Sequence, residues 1–372
     1  MIYIHIPFCV RKCSYCAFYS QVTKSDTQPY VDALCREIEL RSHLSVSSPY
    51  QVRTIYIGGG TPTILPVAQL SQIVDQLRHS FDLSAVEECT IEANPEHLTD
   101  SYLKELRQLG IFNRISIGIQ SFDDGDLRLL NRRHNADIAK QAISQTLDNG
   151  FDNISVDLIY GLPNLSCDRW IENLNILSSF DIKHLSCYAL TVEEGTMLER
   201  QTKSGQIKMP SDEIVVNQYN ALIKWCSENG FEQYEISNFC KPFYHSRHNS
   251  RYWNRTPYFG FGASAHSFDG SSRRWNISDY RRYIECIDND LQFHECERLT
   301  DIDEYNEYIM TSLRTTHGIE LSLVAPRFVS YLQQNIQKFI SSGLLSTCSY
   351  GYKPTQEGLL HADGIAAELF FS

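Results

Sequence analysis

Three cysteines crowd the start of the chain. Cys9, Cys13 and Cys16 form a C-x3-C-x2-C run, followed by Ala17 and Phe18. Thiolates set this close together contribute little to a fold unless something soft binds them. Structural zinc wants four ligands, commonly two cysteine pairs or added histidines, and no second pair follows. An iron–sulfur cubane suits the count better. Three thiolates hold three of its irons and leave the fourth open to a ligand. Zinc and a site-differentiated [4Fe–4S] cluster are the two readings at this point, and ligand softness and number favour the cluster.

A cluster loop needs a scaffold, and the elements that follow supply one. An apolar stretch at 2–6 reads as a strand feeding the loop, and 30–43 has helical spacing. Strands are then expected at 54–57, 89–93, 114–117, 154–159 and 184–190. Helices are expected between them at 67–79, 99–109 (with Thr99 as N-cap), 138–149 and 170–180. Strands alternating with helices imply βαβ units around a parallel sheet. Six units rather than eight give the α/β class as an open, partial (βα)6 TIM-like barrel, whose chemistry gathers at the C-terminal ends of the strands.

The polar residues of interest fall at those ends. Gly58, Gly59, Gly60 and Thr61 follow the second strand, where glycines expose backbone to a ligand or simply make a turn; the spacing and lysine of a phosphate loop are missing. Glu92 ends the third strand and needs a partner, either a ligand hydroxyl or a neighbouring arginine. Gln120 ends the fourth strand, Arg132 follows in LNRRH, and Asp157 is embedded in the apolar run of the fifth. Singly, each has a structural explanation; as a series along one edge, they favour a shared ligand.

The cysteine run, with aromatic Tyr15 before its last member, resembles the radical S-adenosylmethionine (SAM) enzymes. In that superfamily the open iron chelates the amino and carboxylate groups of SAM. The segments YIHIPFC, GGGTPT, IEANPE, IQSF, LNRRH and DLIYGLP are similar to the oxygen-independent coproporphyrinogen III oxidase-like group within it. The resemblance implies SAM contacts at Tyr3, Tyr15, Gly59, Gly60, Thr61, Glu92, Gln120, Arg132 and Asp157. The decarboxylating oxidases carry a further cysteine where this chain has Phe18, and an N-terminal extension where it starts at its first strand. Both departures, and the segment His248-Asn249-Ser250-Arg251-Tyr252-Trp253, resemble the HemW-type haem chaperones. That resemblance implies a protein that binds haem, SAM and a [4Fe–4S] cluster, delivers haem to apo-haemoproteins, and lacks coproporphyrinogen III oxidase activity. The alternative is a radical SAM oxidoreductase acting on a tetrapyrrole.

For haem, His248 is the expected iron ligand, with Asn249, Tyr252 and Trp253 beside it as contacts; His245, His266 and Cys240 are rivals. Arg247, Arg251 and Arg255 could meet the propionates. Ala263 and Ser264 stand where family members usually read Pro-Gly, so the local turn is expected to differ. Beyond Trp275 the alternation stops. Helices at 279–288, 301–314 and 328–341, a hairpin-like stretch at 344–353 and a helix from Thr355 suggest a small winged-helix-like domain, which the family also has. The division expected is 1–210 for the barrel, 211–275 for its extension and 276–372 for the C-terminal domain.

Composition narrows the partners. The 372 residues carry 33 basic and 45 acidic side chains, a net charge of −12, which argues against a nucleic-acid binder. No run of 18 apolar residues exists, so no transmembrane span is expected, and the first residues lack the pattern of a secretory signal. A cytoplasmic protein is expected, with peripheral membrane association and a homodimer left open. The nine remaining cysteines lie scattered and read as small buried hydrophobes.

Overall fold

The protein is described by a computed structural model covering residues 1–23, 25–42 and 51–372. Six parallel strands form its centre: β1 (Ile2–Ile6), β2 (Thr54–Gly59), β3 (Glu88–Ala93), β4 (Arg114–Gln120), β5 (Ile154–Tyr160) and β6 (His184–Ala189), hydrogen-bonded in chain order. The longer helices between them are α1 (Gln28–Ser42), α2 (Val67–Ser80), α3 (Asp100–Gln108), α4 (Ala136–Asp148) and α5 (Cys167–Leu177), with a short helix at Asp124–Leu129 before α4. Side-chain caps start three of the longer ones: Thr99, Asn135 and Ser166 accept from the backbone N–H three residues on. This is the α/β partial barrel expected, longer by one to three residues at several strand ends. His43, placed at the end of the first helix, lies outside the described residues.

The sheet is extended at both edges. Asn238–Cys240 (β7) runs antiparallel to β6 and carries the short strand Glu232–Gln233, while Phe259–Phe261 (β8) runs parallel to β1. A three-stranded antiparallel sheet follows, of His266–Phe268 (β9), Ser272–Asn276 (β10) and His294–Arg298 (β11).

One buried ion-pair network ties this extension to α1. Glu37 accepts from Arg41 (2.8 Å), the Gly262 N–H (2.8 Å), Asn276 Nδ2 (2.8 Å) and the Tyr283 hydroxyl (2.6 Å). Arg41 in turn donates to the Gly260 carbonyl and to Ser267 Oγ. Each carboxylate oxygen is met twice, which is what allows a charge to sit at zero exposure.

Two apolar cores result. The first gathers residues from Ile2 to Ile287, and the second residues from Tyr305 to Leu369. The helix Tyr280–Asp288, which follows the expected division at 275, packs with α1 and places Tyr283 and Ile287 in the first core. The C-terminal part combines helices with a small sheet of Ile319–Glu320, Gly351–Pro354 and Leu345–Cys348. The helix expected over 328–341 is two, Pro326–Asn335 and Gln337–Ser341, joined at Ile336. The expectation for the scattered cysteines needs correction. Cys35, Cys89, Cys187, Cys226, Cys240 and Cys286 are buried, but Cys167 and Cys348 are half-buried and Cys296 is exposed. Cys296 is exposed because it lies on a strand, β11, with four of five residues facing solvent.

Candidate functional site

The central strands alternate. Ile2, Ile4, Ile55, Ile57, Ile91, Ile115, Ile117, Val156 and Leu185 pack in the core with the helices. The opposite face presents Tyr3, His5, Tyr56, Glu92, Arg114, Ser116, Gln120, Ser155, Asp157, His184, Ser186 and Tyr188. Strands of a doubly covered parallel sheet are ordinarily apolar on both faces. Here the inner face is polar, so the barrel's interior, its lumen, is lined by polar side chains rather than by an apolar core.

The cysteine loop closes one end of this lumen. It is held by the Ser14 N–H and hydroxyl, which donate to the Leu130 and Leu129 carbonyls, by Asn131 donating to the Lys12 carbonyl, and by the Leu198 N–H donating to the Ser14 carbonyl. The glycine run packs beneath it, with the Gly60 and Thr61 N–H groups donating to the Ile6 and Phe8 carbonyls. Gly59 has φ +109°, and a Cβ there would lie 2.5 Å from the His5 ring; a Cβ on Gly60 would lie 2.6 Å from the Phe8 carbonyl oxygen. The glycines are required by close approach, not only by a turn.

Two donors reach the thiols. Arg132 Nη1 is 3.3 Å from Cys13 Sγ, and Thr61 Oγ1 is 3.6 Å from Cys9 Sγ. Arg132 is fixed by donating to Asn94 Oδ1 and the Gly118 carbonyl, each at 2.6 Å. Burial pushes the Cys9 thiol up, and burial with the neighbouring Cys13 pushes Cys16 up to about 11. Thiols held that high are protonated at neutral pH unless a metal displaces the proton. Among the described residues, no three His, Cys, Asp or Glu side chains converge on a single ion position. The three loop thiols, soft, flanked by cationic and hydroxyl donors and without a fourth ligand, fit an iron–sulfur group with one open iron better than structural zinc.

The acids line the lumen next to the loop. Glu92 accepts from the Tyr56 hydroxyl (2.7 Å) and the Gly59 N–H (3.0 Å); burial raises its pKa against both bonds. Asp157 accepts from the Ser116 hydroxyl (3.2 and 3.3 Å) and has Ser186 as a second hydroxyl partner, yet burial, with Glu92 nearby, lifts it to about 7. Tyr3 shares a hydrogen bond with His5 Nδ1 and stacks on Tyr56. Burial raises Tyr15, and Cys13 adds to that effect. Gln120 sits at a bulge with φ +68°, which turns the end of β4 beside Gly118. The structure thus brings Cys9, Cys13, Cys16, Gly59, Gly60, Thr61, Glu92, Gln120 and Arg132 to the strands' C-terminal end, with Tyr3 and Asp157 just below.

It does not bring the HNxxYW segment there. This helix, α6 (Arg247–Trp253), plugs the opposite end of the lumen, where the strands begin. Its first N–H groups, on Arg247 and His248, donate to Glu88, the first residue of β3. His248 is fully buried, with Nδ1 bonded to Thr54 Oγ1 (3.0 Å) and Nε2 to the Tyr252 hydroxyl (3.2 Å). With both ring nitrogens engaged, His248 could meet an iron only by giving up one of these two bonds. Asn249 serves the helix N-cap through its N–H, Tyr252 packs edge-on to Tyr258, and Trp253 lies under Arg314. Arg247 pairs with Glu87 through Nη1, and Arg255 with the Glu304 carbonyl and Glu307. Cys240 is buried, whereas His245 and His266 are exposed.

Sequence reasoning passed over Arg114, His184, Ser155 and Ser186 on the lumen floor. Their signal was the strict two-residue alternation inside strands assigned to a parallel sheet. Arg114 is buried, and its Nε has no hydrogen-bond partner.

Known proteins bear on this geometry. Residues 3–177 match the family model of the radical SAM superfamily, and residues 299–361 that of the HemN C-terminal domain. The chain is 34% identical over 332 residues to the heme chaperone HemW of Bacillus subtilis, covering 88% of this chain and 86% of that one. It is 31% identical to heme chaperone HemW of Mycobacterium tuberculosis, over 99% of this chain and 94% of the relative. Among solved structures, the Escherichia coli coproporphyrinogen III oxidase HemN, a radical SAM enzyme, superposes with a TM-score of 0.85 at 25% identity, covering 99% of this chain and 89% of that one.

Proposed function

This chain belongs to the radical SAM superfamily, in the family of the HemW proteins, and from that premise we propose that it is a haem chaperone. It binds SAM on a [4Fe–4S] cluster held by Cys9, Cys13 and Cys16, takes up haem, and passes it to apo-haemoproteins. The observation that carries the reading is the set of three loop thiols with Arg132 and Thr61 donating to two of them, above a polar lumen. When bound, the cluster supplies one open iron to the amino and carboxylate groups of SAM. The remaining work belongs to side chains. Arg132 and Thr61 offset thiolate charge, which lowers the cost of keeping it in a buried loop. Glu92 is fixed by Tyr56 and Gly59 yet retains lone pairs for a ligand hydroxyl. Asp157, titrating at about 7, can hold or release a proton near neutrality beside that ligand. Tyr3, Tyr15, Gly59, Gly60 and Gln120 complete the SAM pocket.

No helix among the described residues is long and apolar enough to cross a membrane. A cytoplasmic protein working on haem and haemoprotein clients, with no nucleic-acid partner, follows from the reading. A second reading, oxidation of a tetrapyrrole by SAM radical chemistry, is favoured by the likeness to HemN. Phe18 counts against it: the side chain is 73% exposed at the position where the decarboxylating oxidases carry their extra cysteine.

Anaerobically reconstituted protein, loaded with haemin and mixed with an apo-haemoprotein, should transfer the haem. Failure to bind haemin with or without the cluster would remove the proposal. Conversion of coproporphyrinogen III in the presence of SAM and a reductant would install the second reading.

A further inference from the structure

Building on the cluster and SAM reading above, we infer that Asn94 is a positioning residue: its one side-chain amide aims the two donors that meet the loop thiols, and so sets the reduction potential of the cluster those thiols hold. Asn94 follows β3 and stands at the N-cap of the short turn Pro95–His97, yet its side chain makes no capping bond. It serves the site instead. Its Oδ1 accepts from Arg132 Nη2 (2.6 Å), and its Nδ2 donates to Thr61 Oγ1 (3.2 Å). Arg132 Nη1 reaches Cys13 Sγ at 3.3 Å, and Thr61 Oγ1 reaches Cys9 Sγ at 3.6 Å. A continuous chain of hydrogen bonds therefore joins Cys9 to Cys13 through Thr61, Asn94 and Arg132.

The proton inventory fixes the direction of that chain. A guanidinium only donates, so the amide oxygen must face Arg132 and the amide nitrogen must face Thr61. A threonine hydroxyl has a single proton. Because its oxygen already receives from Asn94, that proton is left for Cys9 Sγ. On the other side, Arg132 Nη2 is held between Asn94 Oδ1 and the Gly118 carbonyl, each at 2.6 Å, which fixes the guanidinium plane and with it Nη1. Gly118 keeps the neighbouring strand bare here: a Cβ on it would lie 3.3 Å from Arg132 Nη2 and 3.6 Å from Asn94 Oδ1. Donors to cluster sulfurs favour the reduced state, since they stabilise the added negative charge. An aspartate at 94 would keep the shape and reverse the effect on Thr61. Its carboxylate accepts from Arg132 but has nothing to donate, so it draws the Thr61 proton away from Cys9. Alanine would do the opposite, leaving the Thr61 hydroxyl to Cys9 and Arg132 to the Gly118 carbonyl alone.

The test uses the full chain after anaerobic reconstitution. The cluster's reduction potential is read by dye-mediated titration, and SAM affinity by the change SAM makes in the electron paramagnetic resonance signal. Asn94→Asp should move the potential to more negative values and leave SAM affinity as in the parent. Asn94→Ala should move the potential less and weaken SAM binding by about tenfold, because Arg132 is less firmly held. Thr61→Val should lower the potential by itself, and adding Asn94→Asp to it should shift the potential less than the same change does in the parent. Iron content and thermal unfolding show that each variant is folded and loaded; should the alanine variant not load, the aspartate variant and its Thr61→Val pair decide. An asparagine that merely supports the fold would rank the variants the other way, with alanine, which loses both bonds, the more affected in both readouts. That ranking, or a folded, iron-replete Asn94→Asp protein with the parent's potential, would overturn the assignment. A parent that takes up no iron would instead fail the cluster reading on which it rests.

Discussion

Two polar interiors occupy this molecule, and they are built to opposite rules. Behind the small sheet, the Glu37 carboxylate is enclosed with each oxygen met twice, by Arg41, Asn276, Gly262 and Tyr283, and Arg41 donates onward to Gly260 and Ser267. Inside the barrel, Asp157 has only serine hydroxyls as hydrogen-bond partners, Arg114 is buried with an unmet nitrogen, and burial pushes the Cys9 and Cys16 thiols up. A closed network stabilises a fold, and an open one costs stability until something arrives. The difference separates polar residues that serve structure from those that await a ligand, where burial alone does not.

Substitutions can break this contrast. The largest effect is expected at the loop: Cys13→Ser should bring iron from about four per chain to near zero after anaerobic reconstitution, with thermal unfolding of the apo-protein nearly unchanged. Retained iron would show that the thiols are not the ligands. Glu37→Gln should do the reverse, leaving iron content intact while costing about 3–5 kcal/mol in urea unfolding, because Arg41 is left charged without a partner.

Asp157→Asn sharpens the contrast through pH. The carboxyl is raised from 3.8 to about 7 in the folded protein, so the parent loses stability as pH rises from about 4 to 7 and is flat above. The variant should lack that slope and be more stable than the parent by about 1–3 kcal/mol at pH 8, with the gap closing near pH 4. It should also bind SAM less tightly. Equal slopes for the two proteins would mean that Asp157 is satisfied after all.

The smallest effect lies in the turn that joins the two regions. Ser264 has φ +65°, and the Ala263 N–H donates to the Tyr30 hydroxyl. Ser264→Gly should add roughly 0.5–1 kcal/mol by relieving the left-handed conformation. Ala263→Pro should destabilise, since it deletes that donor. The departure from Pro-Gly at this turn is thus chemical as well as conformational: alanine supplies a hydrogen bond that proline cannot.

Much of this was readable in the residues. The cysteine spacing, the six strand–helix units and the caps at Thr99 and Thr355 are local, and each is set by neighbours within a few positions. The polar lumen was legible too, in I-S-I-G-I-Q and its sister strands, but only when the alternation is weighed against the continuous apolar run a parallel sheet ordinarily shows. The place of the HNxxYW segment in the fold was not legible. A histidine beside aromatics has the same composition whether it waits for iron or plugs a barrel floor. What places it at the floor is the bond to Thr54, 194 residues away.

Taken alone, the sequence determined the ligand chemistry at the N-terminus and the order of strands and helices, because thiol count and side-chain periodicity act over a few residues. Tertiary structure alone decided which polar groups are paired and which are left open. It also decided at which end of the barrel each motif lies and which histidine faces solvent. Those outcomes depend on contacts between residues far apart in the chain, such as Glu37 with Asn276 and Arg132 with Cys13, and on burial, which no single residue carries with it.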